Sequence, residues 1–99
     1  MDMAQGSLLV VDDNEMNRDM LARRLARRGY TVTVAKDGYQ ALAMIEAQQF
    51  DLMLLDIMMP GISGLDVLKT VRQRYAAADL PVIMATAKDQ SEDLSLIHI

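Results

Sequence analysis

The stretch LMLLDIMMPGISG, residues 52–64, sets the frame for the whole chain. Four consecutive apolar residues end at an aspartate, and a turn rich in Pro and Gly follows at once. A strand that is apolar on both faces is a strand covered by helices on both faces, which is the habit of parallel sheets. Residues 50–56 are therefore read as a buried strand, and Pro60, Gly61 and Gly64 punctuate the turn that leads into the next helix.

Working outward, residues 7–11 (SLLVV) form a second short apolar strand, and it too ends on acid, at Asp12 and Asp13. Asn14 suits the cap of a helix over residues 15–28, where Met16, Met20, Leu21 and Leu25 recur at helical spacing and Gly29 is the stop. YTVTVA, residues 30–35, is a β-rich strand. Asp37 caps a helix over residues 39–48 with Leu42 and Ile45 on its apolar face. A helix over residues 65–74 carries Leu65, Leu68 and Val71, and LPVIMATA, residues 80–87, is a fourth strand with Pro81 near its start. The order β-α-β-α-β-α-β gives an α/β fold with a doubly wound parallel sheet. Ser91 would cap a further helix, but the remaining LSLIHI is too short for both a complete helix and a fifth strand, so the sheet reads as unfinished.

Composition narrows the functions. The 99 residues contain no cysteine, which removes disulfides, thiolate nucleophiles and cysteine-bound metals. The formal net charge of -4 gives no support to a nucleic-acid or anionic-membrane surface. No apolar run approaches the ~20 residues of a membrane span, and residues 1–7 lack the pattern of a signal peptide, so a cytoplasmic location is expected. Arg18, Arg23, Arg24, Arg27 and Arg28 gather on one helix, where they read as its solvated face and its C-terminal charges. Met44, Met53 and Met84 sit at core spacings as space-fillers.

The chemistry lies at the strand ends. In an open parallel sheet the carboxyl ends of the strands meet around one crevice, which brings Asp12, Asp13, Asp56 and Thr86 within reach of one another. Three carboxylates at roughly 4 Å and an effective dielectric of about 20 repel by on the order of 4 kcal/mol per pair before screening. Such a set holds a proton or recruits a cation. All-oxygen ligands suit a hard cation, Mg2+ foremost. A carboxylate is also a nucleophile in phosphoryl transfer, and Asp56 is the central candidate. The Thr86 hydroxyl would donate to a phosphoryl oxygen.

LLVVDDN, LMLLDIMMPGISG and LPVIMATA, in this order, resemble the receiver domain of two-component response regulators. The resemblance implies a flavodoxin-like receiver fold of strand order 2-1-3-4-5, here lacking the fifth strand and fifth helix. It implies that Asp56 accepts a phosphoryl group from a sensor histidine kinase or phosphotransfer protein. Asp12, Asp13 and Asp56, with the backbone carbonyl of Met58, would hold Mg2+, and Thr86 would move toward the phosphate. Residues 1–6 read as a tail, residues 7–94 as a partial receiver domain, and residues 95–99 as sequence that does not match the family, whether from truncation or read-through. Lys88 stands on the wrong element for the family's phosphate-binding lysine, and His98 is a bystander. An output domain would lie outside this chain. The alternatives are a docking module that works without phosphorylation and a metal-dependent phosphotransferase or phosphatase. The second usually wants an acid two residues past the nucleophile, where Met58 stands, so a conventional turnover enzyme is not expected.

Overall fold

The computed structural model describes residues 6–87 and 94–98, with side chains through Met84. Its order is β1 (Ser7–Val11), α1 (Glu15–Arg27), β2 (Thr31–Ala35), α2 (Gly38–Ala47), β3 (Leu52–Asp56), α3 (Gly64–Arg74), β4 (Val82–Ala87) and β5 (Leu94–His98). Each of the seven expected elements is present, with ends that move by up to two residues. Local chemistry explains those ends. The Asn14 side chain accepts from the Asn17 N–H at the start of α1, Asp37 does the same for Gln40 in α2, and Ser63 does so for Asp66 in α3. At the end of α1 the Arg28 N–H donates to Leu25 O and the Gly29 N–H to Ala26 O, and Gly29 sits at φ 100°, in the left-handed region that glycine enters without strain.

β1 to β4 run parallel in the order β2-β1-β3-β4. The order reverses at β1, so right-handed crossovers send α1 to one face of the sheet and α2 to the other. The core lies on the α2 and α3 side: Leu9, Val11, Met53, Leu55, Val82 and Met84 from the strands meet Ala41, Ile45, Val67, Leu68 and Val71 from the helices. All of these are buried.

The structure corrects three details of the hydrophobic pattern. Met16 is 80% exposed and Met20 is 45% exposed, so the inward face of α1 rests on the half-buried Leu21 and Leu25. In α3 Leu65 is exposed, because the helix begins at Gly64 and buries positions 64, 67, 68 and 71, the i, i+3, i+4, i+7 stripe. In β3 Met53 and Leu55 are fully buried against α2 and α3, whereas Leu52 and Leu54 on the opposite face are only half-covered.

Among the described residues the sheet lacks the parallel fifth strand and the fifth helix of the complete receiver fold, as expected, and a short antiparallel strand takes the edge beside β4. Leu94–His98 pairs with β4 in antiparallel register, Ala87 opposite Leu94 and Ile83 opposite His98. A parallel neighbour needs a crossover of a dozen or more residues, whereas an antiparallel one is reached by a short connection, and only the antiparallel option fits the six residues between β4 and β5. Among the described residues no helix is long and apolar enough to cross a membrane.

Candidate functional site

Val11 pairs with Leu55 across the β1–β3 ladder, so the next residues of the two strands, Asp12 and Asp56, leave the sheet side by side. Asp13 follows on the loop to α1. One carboxylate oxygen from each of Asp12, Asp13 and Asp56 lies within 4.8 Å of the others. Asp13 is exposed, while Asp12 and Asp56 are half-buried.

The loop that carries the first pair is tightly held. The Asp12 N–H donates to Ala35 O at 3.2 Å, which anchors it to the end of β2. The Asp12 carboxylate accepts the Asn14 N–H at 2.9 Å. Arg18, one turn into α1, donates from its guanidinium to the Asp12 carbonyl at 2.8 Å. On the other side of the crevice the Met58 N–H donates to Asp56 Oδ1 at 3.3 Å. The Met58 side chain itself is 77% exposed and takes no part in the cluster.

Electrostatics here run against ordinary carboxylate behaviour. Burial, and then the charge of Asp12, push the Asp56 carboxyl up to about 7, opposed in part by the Met58 N–H. Burial also raises Asp12, opposed chiefly by the Asn14 N–H and to a lesser degree by Arg18. Without a cation the crevice therefore keeps a proton that an unfolded chain would have released. The folded Asp56 value lies above the unfolded one near 4, so the stabilisation is complete below that value and is lost as pH rises through about 7. In chelator-containing buffer the thermal midpoint is expected to fall between about pH 5 and about pH 7.5 and then level off, with Asp56→Asn flattening that slope. A midpoint that rises over the same range, followed by circular dichroism, would contradict this charge balance.

The donor set fits a hard divalent cation. It is all oxygen and anionic, and Arg18, the basic side chain described beside it, bonds the Asp12 carbonyl and takes no carboxylate oxygen. Of the residues expected from the sequence, Asp12, Asp13 and Asp56 are brought together. Met58 contributes its N–H to Asp56, and among the described residues its carbonyl has no hydrogen-bond donor. Thr86 falls in β4 one residue beyond Ala85, the partner of Asp56 in the ladder, but its hydroxyl lies outside the described side chains, as does all of Lys88. Sequence reasoning missed Arg18, which it counted with the solvated arginines. The available signal was its place one turn into a helix whose side chains lean back toward the N-terminus, over the loop that precedes it.

An open, doubly wound α/β sheet with a carboxylate cluster at the ends of β1 and β3 defines a protein whose acidic crevice could hold a metal ion. The family profile described as the response regulator receiver domain matches residues 8–96, and the chain belongs to that family. It is 46% identical over 87 residues to the sensory transduction protein RegX3 of Mycolicibacterium smegmatis, covering 88% of this chain and 37% of that protein. To the response regulator MprA of Mycobacterium ulcerans it is 44% identical over 82 residues, covering 83% of this chain and 34% of that protein. The chain thus spans little more than a third of these curated relatives. Among solved structures, it resembles the response regulator TrrA of Thermotoga maritima in complex with Mg2+-BeF, with 37% identity and a TM-score of 0.79 over 91% of this chain and 75% of that one.

Proposed function

We propose that this chain is a phosphorelay receiver in which Asp56 accepts a phosphoryl group and thereby switches a partner-binding surface. The observation that carries this reading is the convergence of Asp12, Asp13 and Asp56 within 4.8 Å at the ends of two adjacent parallel strands. The donor is the phosphohistidine of a sensor histidine kinase or a phosphotransfer protein. An oxygen of ionised Asp56 forms the new bond to phosphorus, the P–N bond to the donor imidazole breaks, and that nitrogen leaves with the electron pair. Asp12, Asp13, Asp56 and the Met58 carbonyl would hold Mg2+, which when bound would neutralise the charge on the transferring oxygens.

Each residue of the site has a part in this scheme. Asp56 stands at the end of a buried strand, which fixes the nucleophile in place. The Met58 N–H bonded to Oδ1 orients its carboxylate and leaves Oδ2 for attack. Thr86, at the end of the neighbouring strand, donates its hydroxyl to the phosphoryl group and couples the modified state to β4. The added charge and acceptor oxygens then bias the surface near that strand, which partners or an output domain read. Because position 58 carries a methionine, no side-chain acid stands two residues past Asp56 to activate water, and the acyl phosphate is expected to persist.

The test incubates the chain with Mg2+ and acetyl phosphate and follows intact mass. The expected result is a single hydroxylamine-sensitive phosphoryl adduct that requires Mg2+. A phosphorylation-independent docking module would give no adduct, and a phosphatase would consume many donor equivalents without accumulating one.

A further inference from the structure

Among the described residues Arg18 is the basic side chain that hydrogen-bonds into the acidic crevice, and its target is unusual. The guanidinium donates to the neutral carbonyl of Asp12 at 2.8 Å, in a partly buried position, and forms no ion pair with Asp12, Asp13 or Asp56. Resting on the proposed cation seat, we infer that Arg18 is a positioning residue for that seat: it clamps the Asp12 backbone so that the carboxylates stay aimed inward without losing an oxygen to a salt bridge.

Three carboxylates this close tend to spread, and the loop between β1 and α1 is the part that would give way if its contacts were lost, because Asp56 is still paired in the sheet, to Ala85, whereas Asp12 lies past the end of β1. Two other contacts hold Asp12, its N–H on Ala35 O and its carboxylate on the Asn14 N–H. Neither restrains the carbonyl side of that residue. Arg18 does so from the second turn of α1, a helix fixed at its start by the Asn14 cap and by the Arg18 N–H bonded to Asn14 O at 2.9 Å. A cation that paired directly with a carboxylate would compete with Mg2+ for its lone pairs. One seated on a carbonyl adds positive charge beside the cluster and leaves the ligand oxygens open. The planar fork also fixes its direction, which the point charge of a lysine does not.

The test is a calorimetric titration with Mg2+ alone of the wild-type chain, Arg18→Met, Arg18→Lys and, as a control on the same helix, the exposed Arg24→Met, with thermal midpoints measured in chelator. Partners behind metal ligands typically contribute 10–100-fold in affinity, so Arg18→Met is expected to bind Mg2+ at least about tenfold more weakly at a nearly unchanged metal-free midpoint. Arg18→Lys recovers part of that loss, and Arg24→Met matches wild type. Equal affinities for wild type and Arg18→Met overturn the role of Arg18, as does a loss shared by Arg24→Met. If Arg18→Met does not fold, Arg18→Lys decides: affinity below wild type at an unchanged midpoint supports the clamp, and wild-type affinity overturns it. Failure of the wild-type chain to bind Mg2+ overturns the cation seat itself, a result distinct from the others.

Discussion

Asp56→Ala is expected to abolish the phosphoryl adduct completely, while leaving the fold intact or slightly firmer. Neither neighbouring carboxylate substitutes as nucleophile. Asp12 is held by the Asn14 N–H and by the clamp on its carbonyl, and Asp13 lies on the exposed side of the crevice. Removing Asp56 also removes the group that burial and the Asp12 charge push up to about 7, so one source of strain in the metal-free protein disappears. The variant should therefore melt no lower than wild type in chelator-containing buffer near neutral pH, and should lose most of its stabilisation by Mg2+. Intact mass and melting curves read the two effects separately. Retained labelling would remove Asp56 from the nucleophile's role, and an unfolded variant would refute the claim that its charge opposes folding.

The second large effect is expected at a residue with no chemistry of its own. A Cβ on Gly64 would stand 2.1 Å from the Asp56 carbonyl oxygen and 2.8 Å from Ile57 Cα, both backbone atoms that have no rotamer to escape into. The Gly64 N–H donates to Ile57 O at 2.9 Å, so α3 starts directly against the chain that leaves β3. Gly64→Ala must push this helix start away from the segment bearing Asp56. Overpacking of a core typically costs about 1–3 kcal/mol, and a backbone clash of this depth belongs at the upper end. Because the displaced segment carries Asp56, the proposed phosphoacceptor, adduct yield should drop together with stability. Gly61→Ala is the control. Gly61 has φ 81° and its nearest obstacle is a Tyr39 ring atom at 3.5 Å, so only the left-handed backbone cost of roughly 1–2 kcal/mol applies. Urea denaturation of both variants decides, and a Gly64→Ala no weaker than Gly61→Ala would refute the close approach.

These two residues also show what could be read before the fold was known. The run LMLLD followed by a Pro- and Gly-rich turn announces a buried strand with an acid at its end, because four apolar residues in a row have no solvent face to offer. Gly64 is visible in the sequence only as turn punctuation. Its intolerance of a side chain arises from the packing of α3 on β3, which no local pattern records. The methionines of α1 mislead for a related reason. Met16 and Met20 have helical spacing with Leu21 and Leu25, but only the leucines turn toward the sheet, and which flank of a short helix does so depends on its docking angle.

The sequence by itself determined the alternation of strands and helices, the caps at Asn14 and Asp37, the exclusion of cysteine chemistry and the placing of aspartates at strand ends, since all of these follow from side-chain type and short-range spacing. The tertiary structure decided that Asp12 and Asp56, 44 positions apart, become neighbours, because β1 and β3 pair in parallel with Val11 opposite Leu55. It also decided that Arg18 grips a carbonyl, that Leu65 faces outward, and that Leu94–His98 joins the sheet antiparallel. Strand order and register are set by long-range burial and by the length of each connection, and a single chain's local chemistry does not encode them one residue at a time.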